Sequence, residues 1–566
     1  MKRPFLILVI LISSLSSSTV NVSPKFIQET ASPTQTAKLF INGKIYTVNE
    51  QQEWAEAVYV DKDGVIRFVG TNENAREAST VDAEVIDLKG KMMMPGIHDV
   101  HQHPLEARSP FAGTCQLYTE ETNAENYIEL LKECKYDQLA SNWVLGAGHS
   151  VFTLLESSRL PVNILDEAIP DKPAAMMGET SHSVWVNSKA FELAGIDKDT
   201  PNPQGGVIVK DKRTGRPTGV LFDAAGDLIM DLAWLPTDEI KELNYKGLLA
   251  GLKELNKNGI TSVCEGRTYW KRDFQNAWLR AENENRLTVR AVLGLWAYPH
   301  EDDEKQIAKI KSLYRKREDS LLRISQVKAY SDGILINSTA AMLKPYKETI
   351  GDIPSNNGLN YFSEERLAKY IAELEPAGFD FHIHALGDRA ARESLNAIEK
   401  AQKGKGRHRL THLEVVDPSD FERFKLLNVT ADMQVAGDFT KPEHWRESEF
   451  LIGARAKNLV PLKSLFERGA RITLSSDWDV SYINPFIGME NALTRAPQNL
   501  PNLKSVIEAY TINSAYVMRQ EEQTGSIEVG KYADLIVIDQ NLFDIEPDKI
   551  SKTKVLMTFL AGKRVY

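Results

Sequence analysis

From residue 37 the chain alternates apolar and polar side chains. The stretch "AKLFINGKIYTVNE" breaks at Asn42-Gly43, and "WAEAVYVDKDGVIRFVG" repeats the texture around Asp63-Gly64. A period of two interrupted by such pairs predicts β-hairpins. The pattern returns at the far end, in "GSIEVGKYADLIVIDQ" and "KVLMTFLAGKRVY". One small β-sandwich domain formed from both chain ends, residues 37–92 and 520–566, is expected. Two separate β extensions would each leave an exposed edge.

Between those ends, apolar runs are followed by helical periodicity. Strands are expected at Met92–His101, Ile260–Glu265, Leu287–Trp296, Arg323–Tyr330, Phe379–His384, Arg409–Glu414, Val429–Gln434 and Arg471–Asp477. Before the second of these, Ile240, Leu243, Leu248, Leu252 and Leu255 recur at helical spacing, and Asn258-Gly259 ends the helix. Eight strands alternating with helices predict an α/β fold, a (β/α)8 TIM barrel over 93–519 with its active site at the strands' C-terminal ends. An open α/β sheet is the alternative. About 160 residues separate the first strand from the second, far beyond an ordinary connection. They read as a subdomain inserted at about 105–235 over the barrel mouth, with a hairpin in "QGGVIVKDKRTGRPTGVLFDAAG".

The amino terminus follows another pattern. Lys2 and Arg3 precede an apolar run from Phe5 to Ile12 and a serine-rich stretch from Ser13 to Ser18. The run is too short to span a bilayer, and its charged, apolar and small-residue order predicts a signal peptide over 1–20. Export to the periplasm or the medium is therefore expected, an uncleaved anchor being the alternative. Residues 21–36 read as a polar linker.

A net charge of −10 argues against a nucleic-acid partner, because nothing offsets phosphate repulsion. No membrane contact is expected beyond the leader, and a homodimer is left open. Cys115, Cys134 and Cys264 are too few and too scattered for a disulfide framework or a thiolate metal cage. Attention passes to the histidines.

Residues two apart on a strand face the same way, so His101 and His103 aim two imidazoles at one point. Imidazole suits zinc and similar divalent ions. The fifth strand closes with His384, the sixth with His412 and the eighth with Asp477, so metal-ligand residue types meet at the rim from four strands. Asp99 is placed to orient a ligand imidazole from behind, and His382 lies one layer below His384 as support or core. His182, in the insertion, either contacts substrate from above or caps a loop. His149 and His444 are weaker candidates, while His98, His300 and His408 read as structural or exposed. Trp185, Trp445 and Trp478 are candidate pocket walls, although tryptophans more often fill cores.

The strings "MPGIHDVHQHP", "IHALGDRA", "HRLTHLE" and "LSSDWDV" resemble the amidohydrolase superfamily. "SHSVWVNSKAF", "GVIVKD" and "GSIEVGKYADLIVID" are similar to its branch containing N-substituted formamide deformylases. The resemblance covers residues 37–566. It implies metal ligands at His101, His103, Lys328, His384, His412 and Asp477. The sequence departs from the family at His98-Asp99-Val100-His101, at Thr180-Ser181-His182 and at Val435, positions that bear on substrate more than on ligands.

Lys328 admits two readings. A lysine carboxylated by CO2 presents an anionic carbamate able to bridge two metals, and its precursor is a buried amine of depressed pKa. The other reading is a cationic lysine that pairs with Asp332 or binds substrate, with Glu265 as a substitute carboxylate ligand. Asp332 and His182 are the substrate-binding candidates.

The resemblance implies hydrolysis of a small-molecule amide C–N bond, with N-substituted formamides as the nearest substrate class. Zinc or a similar ion, one or two per chain, would supply hydroxide at neutral pH, and Asp477 would carry its proton to the departing nitrogen. The rivals are a cyclic-amide hydrolase or deaminase using the same ligands, and a binding protein that has lost catalysis. A broken ligand set would mark the latter, and this set is intact.

Overall fold

The computed structural model describes residues 35–109, 115–117, 123–134, 142–350, 356–401, 405–437, 440–441 and 445–566, without the side chains of 445–447. The expected leader, the linker up to residue 34, His444 and the Trp445 side chain lie outside these limits. Among the described residues no helix is long and apolar enough to cross a membrane.

Eight parallel strands form the central sheet: Ile97–Gln102, Ile260–Thr268, Arg290–Trp296, Leu322–Tyr330, Asp380–Ala385, Arg409–His412, Thr430–Gln434 and Ile472–Ser475. Each is paired to the next in chain order. The ring closes where Asp477 N–H donates to the His101 carbonyl at 2.9 Å and His103 N–H donates to the Trp478 carbonyl at 2.5 Å. All eight expected strands are present in this (β/α)8 barrel. The helix before the second runs Asp238–Lys257, capped by the Thr237 side chain, and buries Leu248, Leu252 and Leu255.

The expected strand Met92–His101 is two strands. Met92–Pro95 joins the β-sandwich, between Lys44–Tyr46 and Leu535–Ile538, and only Ile97–Gln102 enters the barrel. The break falls at Gly96, where a Cβ would lie 2.1 Å from the Thr261 hydroxyl oxygen. Only glycine lets the chain pass this close to the barrel's second strand.

The sandwich draws on both chain ends. One sheet orders Lys563–Arg564, Val555–Leu560, Leu535–Ile538, Met92–Pro95, Lys44–Tyr46 and Trp54–Ala55. The other orders Ile66–Gly70, Ala57–Val60, Lys38–Ile41 and Glu84–Asp87. Phe40, Val58 and Ile66 share a core with Leu535, Val537 and Phe559, so neither terminus buries its apolar face without the other.

The insertion builds its own six-stranded sheet, ordered Gly206–Lys210, Pro217–Asp223, Ser183–Val186, Ala174–Gly178, Val144–His149 and Cys115–Gln116. The expected hairpin is its first pair. Trp185 fills its core and donates to the Pro161 carbonyl, and His149 packs against that indole. One expectation is overturned here: Cys115 and Cys134 form a disulfide, tying the edge strand to the end of helix Tyr127–Cys134. Spacing alone gave no reason to pair them. Cys264 remains a buried thiol.

Candidate functional site

The C-terminal ends of the barrel strands converge on a cavity of about 170 Å³ that the insertion reaches from above. His103, His384, His412 and Asp477 line it, with His182 supplied by the insertion. His101 lies just beneath, 1% exposed, with Nε2 3.4 Å from Asp477 Oδ1. The same oxygen is 3.3 Å from His103 Nε2, and the other Asp477 oxygen is 3.9 Å from His412 Nδ1. The His384 and His412 rings approach edge-to-face at 4.5 Å between centroids. The structure thus brings together the rim residues expected from four strand ends.

Two of these residues sit in unusual backbone. His412 has φ 78° and Asp477 φ 53°, and Leu413 follows at φ 50°. Side chains rarely adopt this region, and where they do at the end of a strand the cost goes into turning a functional group inward.

The tautomer of His101 is set from behind. Its Nδ1 lies 2.9 Å from the Thr411 hydroxyl, which donates in turn to Asp432 at 2.7 Å and accepts from Gln434 at 3.0 Å. Nδ1 therefore carries the proton, and the Nε2 lone pair faces Asp477. Asp99 does not play this part. It accepts backbone N–H groups of His101 and Ser476, each at 3.2 Å, and so fastens the first strand to the eighth rather than an imidazole.

Lys328 is fully buried, and its Nζ faces His101 Nε2 at 3.2 Å and His382 Nε2 at 3.3 Å. The Arg409 guanidinium, which can only donate, gives a hydrogen bond to His382 Nδ1 at 2.8 Å. The His382 proton is then on Nε2, leaving that ring no lone pair for an ion and aiming an N–H at the lysine. Burial pushes the Lys328 pKa well below its ordinary value, against the pull of Asp477. An uncharged amine satisfies both facts.

The expected Lys328–Asp332 pair is not formed. Asp332 takes backbone N–H groups of Ala341 at 2.7 Å, Gly387 at 2.9 Å and Leu386 at 3.0 Å. Both its oxygens are spent on bracing the loops after the fourth and fifth strands, and it does not line the cavity. Trp185 and Trp478 do not line it either. His98 is a buried structural residue, bonded to Gly96 and Thr524. His408 faces Glu375 and His300 faces Asp231, both away from the cavity.

His182 does reach the cavity. Asp223 holds its Nδ1 at 2.7 Å, and its ring stacks over Tyr330 and approaches His384. Three neighbours were not legible in the motifs. Arg267 lines the cavity and is neutralised by buried Glu106 at 2.5 Å. Tyr330 stacks on His384 at 3.9 Å between centroids. Asp432 backs Thr411; its spacing of two from Gln434 on the seventh strand was the available signal.

The donor set suits a divalent ion. His101, His412 and Asp477 each offer a ligand atom, all within 4.8 Å of one another. Around them, among the described residues, the buried atoms Nδ1 of His384 and Oε2 of Glu265 make no hydrogen bond, and Nδ1 of His103 faces the other Glu265 oxygen at 3.5 Å, a pattern of polar atoms awaiting a partner. Burial lowers His412 to about 3 and takes His101 and His384 well below the usual range, so these rings are neutral and able to ligate. His103 goes the other way. Burial and Arg267 lower its pKa, but hydrogen bonds to Asp477 and Glu265 outweigh them and push it up to about 9.

Comparison with known proteins agrees with this geometry. The model of the amidohydrolase family matches residues 84–566. YtcJ of Bacillus subtilis, which carries an amidohydrolase name, is 31% identical over 93% of this chain and 98% of its own. The N-substituted formamide deformylase of Arthrobacter pascens is 26% identical over 93% and 97%. A metal-dependent hydrolase of Pyrococcus furiosus, 24% identical, shares the fold with a TM-score of 0.68, covering 91% of this chain and all of its own. With its ligand-type residues gathered at the barrel mouth and the family's pattern running over most of its length, the chain belongs to the amidohydrolase family of hydrolases acting on carbon–nitrogen bonds.

Proposed function

We propose that this protein hydrolyses the C–N bond of a small-molecule amide, with N-substituted formamides as the nearest class, using water activated by a divalent ion such as zinc. The observation that carries the reading is the meeting of His101, His103 and His412 on the carboxylate of Asp477. When bound, the ion polarises the amide carbonyl and lowers the pKa of water toward about 7. His101, His103, His384 and His412 would hold it with Asp477, and Lys328, as a carbamate, would add an anionic ligand. Asp477 takes the proton of the attacking water and returns it to the departing nitrogen. His182, fixed by Asp223, faces the substrate from above and can donate to the developing oxyanion. Apolar residues of the cavity wall exclude bulk water.

Similarity to the N-substituted formamide deformylase of Arthrobacter pascens favours formamides. Export is part of the same proposal: the Cys115–Cys134 disulfide suits an oxidising compartment, in keeping with the leader pattern of residues 1–20. The test is metal analysis of the purified protein together with turnover of an acyl-amide panel. Free amine plus carboxylate is the expected product pair, whereas a ring-opened acid or ammonia would move the protein to the cyclic-amide hydrolases or deaminases. No turnover by metal-loaded protein would overturn the reading.

A further inference from the structure

A second cavity, of about 480 Å³, lies at the opposite end of the barrel strands and shares no wall residue with the catalytic one. Arg323 and Ser325 border it from the start of the fourth strand, Leu322–Tyr330, whose far end carries Lys328. Glu375 comes from the turn before the fifth strand, and Lys405 from the segment before the sixth. Lys316 and Arg519 complete its charged wall. Four cations thus surround one carboxylate, in a chain whose net charge is −10.

Some of these charges are already answered. Arg519 forks onto Asp380, with Nε at 2.6 Å and Nη2 at 2.8 Å from its two oxygens. Glu375 accepts the backbone N–H groups of Gly406 at 3.1 Å and Lys405 at 3.3 Å, and faces His408 at 3.3 Å. Lys316 stands 3.8 Å from Glu318 in an exposed pair, which is worth little.

Arg323 is not answered. It is 6% exposed, and its guanidinium donates to two neutral acceptors, the Arg519 carbonyl at 2.8 Å and Gln523 Oε1 at 3.1 Å. Such acceptors satisfy N–H groups without cancelling the charge, and a buried cation without a counter-ion is costly. Burial accordingly pulls its pKa below the usual guanidinium range, with Glu318 pulling the other way. The Lys405 side chain is exposed and, among the described residues, forms no ion pair.

We propose that this cavity binds a phosphorylated small molecule, its phosphate dianion held between Arg323 and Lys405. A guanidinium has more N–H groups than the two bonds above use, and its planar fork matches phosphate oxygens. The ammonium supplies the second positive charge. The volume exceeds what a bare phosphate fills and leaves room for the carbon skeleton of an ester. No residue of the catalytic cavity takes part, so the site stands apart from the amide-hydrolase reading.

The test is calorimetry on the full-length, metal-loaded protein with inorganic phosphate and glycerol 3-phosphate, and with acetate as the monoanion, at constant ionic strength. Both phosphates are expected to bind wild type about tenfold or more tightly than acetate. Phosphate can also ligate a catalytic ion, so two variants decide where it sits. Arg323→Gln should weaken both phosphates about 10–100-fold, the range for a hydrogen bond to a charged group. Lys405→Glu alters only an exposed side chain and keeps the comparison open should the first variant fail to fold. It should weaken both phosphates several-fold, with metal content and amide turnover in phosphate-free buffer as in wild type. Absence of phosphate binding, equal affinity for phosphate and acetate, or phosphate affinity unchanged in folded protein of either variant overturns the site.

Discussion

The backbone N–H of Asp477 donates to the carbonyl of His101 across 2.9 Å, on the seam where the eighth barrel strand meets the first. The same two residues face each other through their side chains, at 3.4 Å. Closing the barrel and assembling the site are therefore one event. A strand that fails to dock at this seam loses both the ring of hydrogen bonds and the carboxylate that faces three imidazoles.

His101 and His103 are expected to be indispensable to the metal. His101→Ala or His103→Ala should deplete the purified protein of divalent ion and abolish turnover, because a ligand is lost from a site whose other donors are already placed. Elemental analysis of each variant against wild type is the measurement. Full metal content in both would show that the ion, if any, is held elsewhere.

Metal uptake should release protons. In the metal-free protein the His103 pKa is raised to about 9, so the ring carries a proton at neutral pH that the ion must displace. Apparent affinity should then rise with pH up to about 9 and level off above it, and fall as acid re-protonates the ring. Calorimetric titrations in buffers of different ionisation enthalpy give the number of protons directly. Uptake without proton release would remove His103 from the ligand set.

Asp477→Asn separates holding the ion from moving the proton. The asparagine amide fills the space but cannot accept a proton, so the rate should fall by about 10²–10⁴-fold while much of the metal stays on the histidines. Metal content and steady-state rate are compared on one preparation. Near wild-type turnover would hand the proton to Glu265 or His182.

Lys328 should respond to CO2. Its amine is buried and uncharged in its setting of His101 and His382, the form that reacts with CO2 to a carbamate. Reconstitution of metal-free protein should depend on bicarbonate, and a short-chain carboxylate should partly rescue Lys328→Ala. Loading indifferent to bicarbonate, with an unmodified lysine by intact mass under native conditions, would point to a single ion without a bridging carbamate.

The Cys115–Cys134 link should matter to stability rather than chemistry. It closes a loop with a sequence separation of 19, which the chain-entropy relation values at about 3 kcal/mol. Reductant should lower the thermal midpoint of wild type, and Cys115→Ser should show the lowered midpoint with or without reductant. A midpoint insensitive to both would mean the thiols are unpaired in solution.

Much of this molecule is local and therefore legible in the chain. Apolar runs placed all eight barrel strands, helical periodicity placed the helix Asp238–Lys257, and alternation about a turn placed the hairpin of the insertion, because each follows from side chains along a single element. The pair His101 and His103 and the strand-end positions of His384, His412 and Asp477 come from the same rule. The split at Gly96 escaped it, since an apolar run looks alike in a sandwich and in a barrel until Thr261 arrives beside it.

What only the tertiary structure decided are the partnerships across the chain. Asp332 went to three backbone N–H groups instead of Lys328, and Thr411 with Asp432 took the place behind His101 that Asp99 was expected to fill. Arg267 found Glu106 at a separation of 161 residues, and Cys115 found Cys134. A buried charge or thiol takes whichever partner the closed fold puts within a few ångströms. Residue type says that a partner is needed, but only the folded chain determines which residue is near enough to serve.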